Sequence, residues 1–262
     1  MAMQSLADMI PHRTETRHCP QHGEYEATIA IIRGKELPES GCRQCLEEQD
    51  RAEQLEQQRQ DAAERKQLRI DNQMRRAAIP RRFADRRLST YKAQNEDQRR
   101  ALASCTRYAD QFDQALEHGT NLILCGNPGT GKTHLAIGIA WQVMDAGHTA
   151  AFTTTMDAIR RVRETYSRDS HETERQAIEA LSKPDLLILD EVGVQLGTEA
   201  ERLTLFEIIN ARYQDMRPTI LISNLSLDGI EEYLGQRGMD RMREGGGRAV
   251  VFNWGSYRRE VA

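Results

Sequence analysis

Residues 121–133 read NLILCGNPGTGKT, and the class of the fold follows from how this stretch divides. Residues 121–125 are an apolar run of buried-strand length, and the octet Gly126, Asn127, Pro128, Gly129, Thr130, Gly131, Lys132, Thr133 follows directly. The octet has the spacing G-x-x-x-x-G-K-[ST]. Beyond it, HLAIGIAWQVMDAG brings back Leu135, Ile139, Val143 and Met144 at helical spacing until Gly147 closes the run. Strand, glycine loop and helix in this order form a phosphate cradle: glycines let successive N–H groups turn inward, and the helix N-terminus adds partial positive charge. Lys132 is expected to reach the β and γ phosphates of ATP, and the Thr133 hydroxyl to coordinate Mg²⁺.

Outward from this unit, the apolar runs 149–153, 186–189, 219–222 and 249–252 alternate with helical patterns. The alternation predicts an α/β fold, five parallel strands with helices on both faces. The run DLLILDE after Pro184 ends on Asp190 and Glu191. Asp190, at a strand end, is suited to hold the hydrated Mg²⁺, and Glu191 to polarise an attacking water. A carboxylate dedicated to water favours a hydrolase with a conformational cycle over a small-molecule kinase. TILISN ends in Asn224, an amide that either orients that water, senses the γ-phosphate or simply caps the chain. LGQRGMDRMREGGG carries Arg237, Arg241 and Arg243, which form a charged helix face or supply an arginine to the γ-phosphate of a neighbouring subunit.

Ahead of this region lies RHCPQHGEYEATIAIIRGKELPESGCRQC, residues 17–45. Cys19 with His22, and Cys42 with Cys45, make two close pairs, the spacing of a four-ligand zinc site. The intervening EYEATIAIIRGKE is expected to fold as a hairpin that joins the pairs; His18 is a less well spaced substitute ligand. Residues 1–45 are therefore read as a zinc-binding segment. Residues 46–78 contain no Pro or Gly and are rich in helix formers, which predicts one long helix ended by Pro80. Its sparse apolar positions, Leu46, Leu55, Leu68, Ile70 and Met74, make no sustained heptad, so it is a solvated linker or a partner-docking helix. Residues 79–262 are assigned to the ATPase domain. Cys105 on a predicted helix and Cys125 at a strand end are read as buried packing residues.

The 262 residues are 39% hydrophobic and 29% charged, with a formal net charge of −4. That balance gives no global case for nucleic acid, so any such contact needs a local basic patch. IRRVRETYSR offers one, with Arg160, Arg161 and Arg163 for phosphates and Tyr166 for stacking, or else it is a solvated helix face. No apolar run has the length of a signal peptide core or a membrane span, and the expectation is a soluble, cytoplasmic chain.

GNPGTGKTHLA, LLILDEVGVQ, LISN, GQRGMDRMR and VFNWGSYRREV, in this order, resemble the DnaC-type bacterial replicative helicase loaders and their phage-encoded relatives over residues 80–262. The resemblance implies an AAA+ fold of the initiator and loader clade. It also implies Asn224 as first sensor, Arg237 as an arginine finger acting in trans, and Arg258 of SYRRE as a second-sensor-like residue. Too few residues follow Arg258 for the usual helical lid. Implied partners are the hexameric replicative helicase, single-stranded DNA and further copies of the chain through the AAA+ domain. The zinc-type segment is not part of the loader motif set, and residues 1–78 are expected to dock the helicase. Two other readings stand beside this one. The first is an IstB-type transposition helper ATPase, against which the FNWGSYR ending argues. The second is a zinc-dependent nucleic-acid-binding adaptor with little turnover.

Overall fold

The computed structural model describes residues 11–33, 35–38, 41–194 and 198–257. Its contacts divide the chain into two units, Met1–Ile70 and Asp71–Ala262. In the first, β1 (His12–Cys19) and β2 (Gly23–Ile32) form an antiparallel hairpin in which Cys19 faces Gly23, and the two-residue β3 (Lys35–Glu36) pairs with the end of β2. The expected hairpin between the ligand pairs is thus only a short return, and the main partner of β2 precedes Cys19. HRTETRHC escapes a period-2 reading because its side chains are polar on both faces, the buried apolar residues of the hairpin being Cys19, Ala27 and Ile29.

α1 (Arg43–Arg76) begins three residues earlier than 46, which places Cys45 in its first turn. Leu46, Leu55 and Leu68 are 47%, 50% and 62% exposed, so the helix is held by intrinsic propensity more than by burial. Its last turns and the chain just past it are anchored in the second unit. Ala77 and Ile79 are buried, Gln73 Nε2 donates to the Met144 carbonyl, and the Phe152 N–H donates to the Ala77 carbonyl.

The second unit contains a parallel five-stranded sheet of β4 (Leu122–Gly126), β5 (Ala150–Thr154), β6 (Leu186–Val192), β7 (Thr219–Ser223) and β8 (Arg248–Phe252), ordered β5-β6-β7-β4-β8. Every run read as a strand is one. Helices α2 (Glu96–Asp110), α3 (Phe112–His118), α4 (Lys132–Asp145), α5 (Thr155–Glu164), α6 (Glu174–Ser182), α7 (Glu199–Gln214) and α8 (Leu227–Arg243) surround it. The inner strands are apolar on both faces because helices cover both, and Leu122–Cys125 and Leu186–Leu189 are buried throughout. Helix starts are set by side-chain caps: Asn95, Thr154, Thr173, Thr198 and Ser226 each accept a backbone N–H of the first turn. Cys105 and Cys125 are fully buried, and burial pushes the Cys105 thiol up to about 12.

Arg212 on α7 is fully buried and donates to the carbonyls of Leu181, Ser182, Pro184, Asp185 and Pro218 and to Thr219 Oγ1. It ties the end of α6 to the starts of β6 and β7, opposite the strand ends that carry the site. Arg212→Met is expected to cost about 3–5 kcal/mol, since it leaves several buried carbonyls without donors. The urea midpoint should fall at unchanged m-value; a change under about 1 kcal/mol would remove the stitching role.

Candidate functional site

The P-loop leaves the end of β4 and closes on the start of α4. Gly126 and Gly131 have φ of +115° and +98°, and a Cβ at Gly126 would strike the Phe252 carbonyl while one at Gly131 would lie 2.6 Å from the Tyr91 ring. These two positions therefore need glycine for conformation and for space. Lys132 is buried, with Nζ donating to the carbonyls of Gly126 at 2.8 Å and Asn127 at 2.6 Å, which holds the ammonium inside the loop.

One face of the loop is lined by segments remote in sequence. Asn127 N–H donates to the Phe252 carbonyl, Asn127 Nδ2 to the Trp254 carbonyl, and Tyr257 N–H to the Gly129 carbonyl. Trp254 Nε1 and the Tyr91 hydroxyl both donate to the Thr130 carbonyl at 3.2 Å. Burial pushes Tyr91 up to about 12, so the hydroxyl stays a donor. The FNWGSY segment and Tyr91 thus shape the loop from outside, and no local motif announced either contact.

Opposite the loop, Thr133 Oγ1 donates to Asp190 Oδ2 at 3.0 Å, joining the residue expected on Mg²⁺ from the loop to the one from β6. Burial pushes the Asp190 carboxyl up, opposed by the Glu191 N–H at 2.8 Å and by Thr133. β6 breaks its register between Leu189 and Val192, and Glu191 there has φ +62°. A bulge at the strand end re-aims the side chain it carries, and a non-glycine residue in the left-handed region stores about 1–3 kcal/mol of strain. Glu191 is exposed. Asn224 is exposed at the end of β7, the strand between β4 and β6. Its place is fixed on both sides: Ser223 Oγ donates to the Val192 carbonyl, and Gly126 N–H donates to the Leu225 carbonyl. The structure therefore gathers the P-loop, Thr133, Asp190, Glu191 and Asn224 at one end of three neighbouring strands.

The arginines of α8 separate by environment. Arg243 pairs with Glu231 at 2.8 Å, and Arg241 lies over Phe206, 4.3 Å from its ring centre. Arg237, just past the break at Gly235, is exposed and its guanidinium has no hydrogen bond or ion pair among the described residues. Arg258 lies outside the described residues. The candidate DNA arginines on α5 are engaged elsewhere: Arg161 grips Glu172 with two nitrogens at 2.6 and 3.2 Å, Arg163 meets Glu201 at 3.3 Å, and Arg160 meets Asp157 at 3.5 Å. Tyr166 is 63% exposed, and its hydroxyl donates to Glu174.

In the first unit the turn of the β1–β2 hairpin presents Cys19 and His22 to Cys42 and Cys45 at the start of α1. The four ligand atoms lie within 4.8 Å of one another. Cys19 Sγ is 3.4 Å from Cys45 Sγ and 3.7 Å from His22 Nδ1, which is 3.2 and 3.7 Å from the sulfurs of Cys45 and Cys42. Around an ion with about 2.3 Å sulfur and 2.0 Å nitrogen bonds, tetrahedral neighbours stand about 3.5–3.8 Å apart, so the donor set fits such an ion. The backbone N–H groups of Gln21 and His22 lower the Cys19 thiol to about 6. Glu48 Oε1 is 3.3 Å from His22 Nε2 and fixes the ring with Nδ1 toward the sulfurs. Glu48, one turn after Cys45, was not singled out in the sequence. His18 is exposed, its strand position facing away from Cys19.

A P-loop at the end of a parallel sheet strand, facing an acidic pair on another strand, defines an ATP-binding protein of the P-loop class. The chain belongs to the IstB-like ATP binding protein family, which it matches over residues 36–242. It is 36% identical over 171 residues to the replicative helicase loader DnaC of Escherichia coli K12, covering 65% of this chain and 68% of that one. To the replicative helicase loader DnaC of Buchnera aphidicola (subsp. Acyrthosiphon pisum) it is 32% identical over 198 residues, covering 76% and 79%. The crystal structure of the DnaC helicase loader aligns with 66% of this chain and all of that one, at TM-score 0.59 and 24% identity, which shows a common fold. No helix among the described residues is long and apolar enough to cross a membrane.

Proposed function

We propose that this chain is an ATP-switched loader that places a ring-shaped replicative helicase on single-stranded DNA. The observation that carries the reading is the division within the ATP site. Thr133, Asp190, Glu191 and Asn224 are gathered at one sheet end, while Arg237 is exposed on α8 with no guanidinium partner among the described residues. An arginine free on the surface is suited to complete a neighbouring subunit's site, which makes turnover depend on assembly. The names of the curated relatives support the loader role. Lys132 and the loop N–H groups hold the phosphates, Thr133 and Asp190 hold Mg²⁺, and Glu191 takes the proton from the attacking water. Zn²⁺ suits the Cys19, His22, Cys42 and Cys45 set, and residues 1–78 supply the helicase contact.

The test combines the chain, its cognate helicase and a single-stranded DNA circle. ATP-dependent transfer of helicase to the circle is expected. Arg237→Ala should lower ATP turnover by about 10³-fold or more at nearly unchanged nucleotide affinity, and mixing it with Lys132→Ala should restore part of the turnover. The family's own description keeps an IstB-type helper as the second reading. A chain that ignores the helicase and instead acts with a transposase on duplex DNA would establish that one.

A further inference from the structure

Basic residues that look alike in sequence fall into two groups in the structure. Arg160, Arg161 and Arg163 each face a carboxylate, as described. Residues 65–87 are different: they hold nine Lys and Arg against two Asp, in a chain of net charge −4. Within the second unit Arg75, Arg76, Arg81, Arg82 and Arg86 are all exposed. The guanidinium groups of Arg76, Arg81, Arg82 and Arg86 make no hydrogen bond or ion pair among the described residues. Their backbone is nonetheless ordered. The Ala77 carbonyl is bound by Phe152 N–H, and a 3-10 turn over Arg81–Phe83 closes with Phe83 N–H on the Pro80 carbonyl.

The larger apolar residues of this segment are buried or half-buried. Ala77 and Ile79 are buried, and the Phe83 ring packs at 6.3 Å from Phe152. A protein partner would ask for an exposed apolar or aromatic centre inside its polar rim, and no large apolar side chain of residues 75–86 is exposed. Exposed guanidinium groups on a held backbone, without such a centre, match a chain of phosphates, which each fork can bind with two nitrogens. We infer that residues 75–86 form a track for the phosphate backbone of single-stranded DNA, sequence-independent and placed before the ATPase sheet rather than on α5. The inference rests on the loader reading for the identity of the nucleic acid.

The test is fluorescence anisotropy of a labelled oligothymidylate with the full chain and a non-hydrolysable ATP analogue, between about 50 and 200 mM salt. The variant replaces Arg76, Arg81 and Arg82 by Gln; it spares Arg86, which neighbours His134 at the start of α4. At about 0.7 counterions per single-strand phosphate contact, affinity near 0.1 M salt should fall about 100-fold and the log–log salt slope should flatten by about 2. Nucleotide affinity should not change, and the triple Lys variant should keep most of the slope. Wild-type binding by the Gln variant, with loss instead in Arg163→Gln or Tyr166→Ala, would return the contact to α5 and overturn the proposal. Unchanged DNA binding with lost helicase binding would overturn it in favour of an acidic protein surface. If the wild type itself bound no DNA, the loader reading would fall first and the track with it.

Discussion

Lys132→Ala is expected to abolish measurable nucleotide binding, whereas Glu191→Gln keeps binding and loses about 10²–10⁴-fold in hydrolysis. The two effects separate because the residues act on different atoms. Lys132 Nζ is held inside the loop by the Gly126 and Asn127 carbonyls, so its removal takes away a phosphate-binding charge and two anchors of the loop. Each charge-assisted bond lost is worth about 1.5–3 kcal/mol, and two suffice to weaken binding by 10² or more. Glu191 instead stands on the β6 bulge, its N–H tied to Asp190, and Gln adopts the same backbone and fills the same volume. Binding of a fluorescent ATP analogue and single-turnover hydrolysis, measured on both variants, separate these roles. Equal turnover by Glu191→Gln and wild type would show that another group handles the water.

A larger effect is expected in the first unit. Its hairpin buries Ala27 and Ile29 besides the cysteines, a core too small to hold a fold of this length unaided. Structural zinc sites of this type contribute about 10–16 kcal/mol to folding at neutral pH. Chelation, or Cys42→Ser, should therefore erase hydrogen-exchange protection across residues 12–36 while leaving that of the β4–β8 sheet and ATP binding in place. One equivalent of zinc per chain is the accompanying expectation. Glu48→Gln, which keeps all four ligands but weakens the hold on His22, should lower zinc affinity about 10–100-fold. A protected hairpin in metal-free protein would refute the metal's structural role.

What could be read in advance was whatever chemistry is written locally. The P-loop, the strand ending on Asp190 and Glu191, and the paired ligands around Cys19 and Cys42 each fit within a few residues, so spacing alone exposes them. β1 stayed hidden because a strand in a unit with so little core has no apolar alternation to display. Arg212 escaped because an arginine on a helix reads as solvent-facing until the carbonyls of five other residues close around it. The pairing of Arg161 with Glu172 and of Arg163 with Glu201 depends on how α5 packs, and charge counts along one segment cannot contain that. Tyr91 and Trp254 meet at the Thr130 carbonyl from opposite ends of the domain, a contact that exists only after the sheet is assembled.

The position of β4 sets a timetable for the molecule's birth on the ribosome. β4 is the first strand of its sheet to emerge, yet its two partners, β7 and β8, are the last. At about 5–20 residues per second, roughly 100 residues must be translated before β7 is available, so Leu122 to Cys125 stay unpaired for about 5–20 s. Closing such distant pairings is slow in kinetic terms as well, because loop entropy is lost before the contacts form. An apolar edge left open for that long is a natural substrate for a holding chaperone. The loop that receives ATP, hydrogen-bonded to Phe252 and Trp254, is then among the last parts of the nascent chain to take shape.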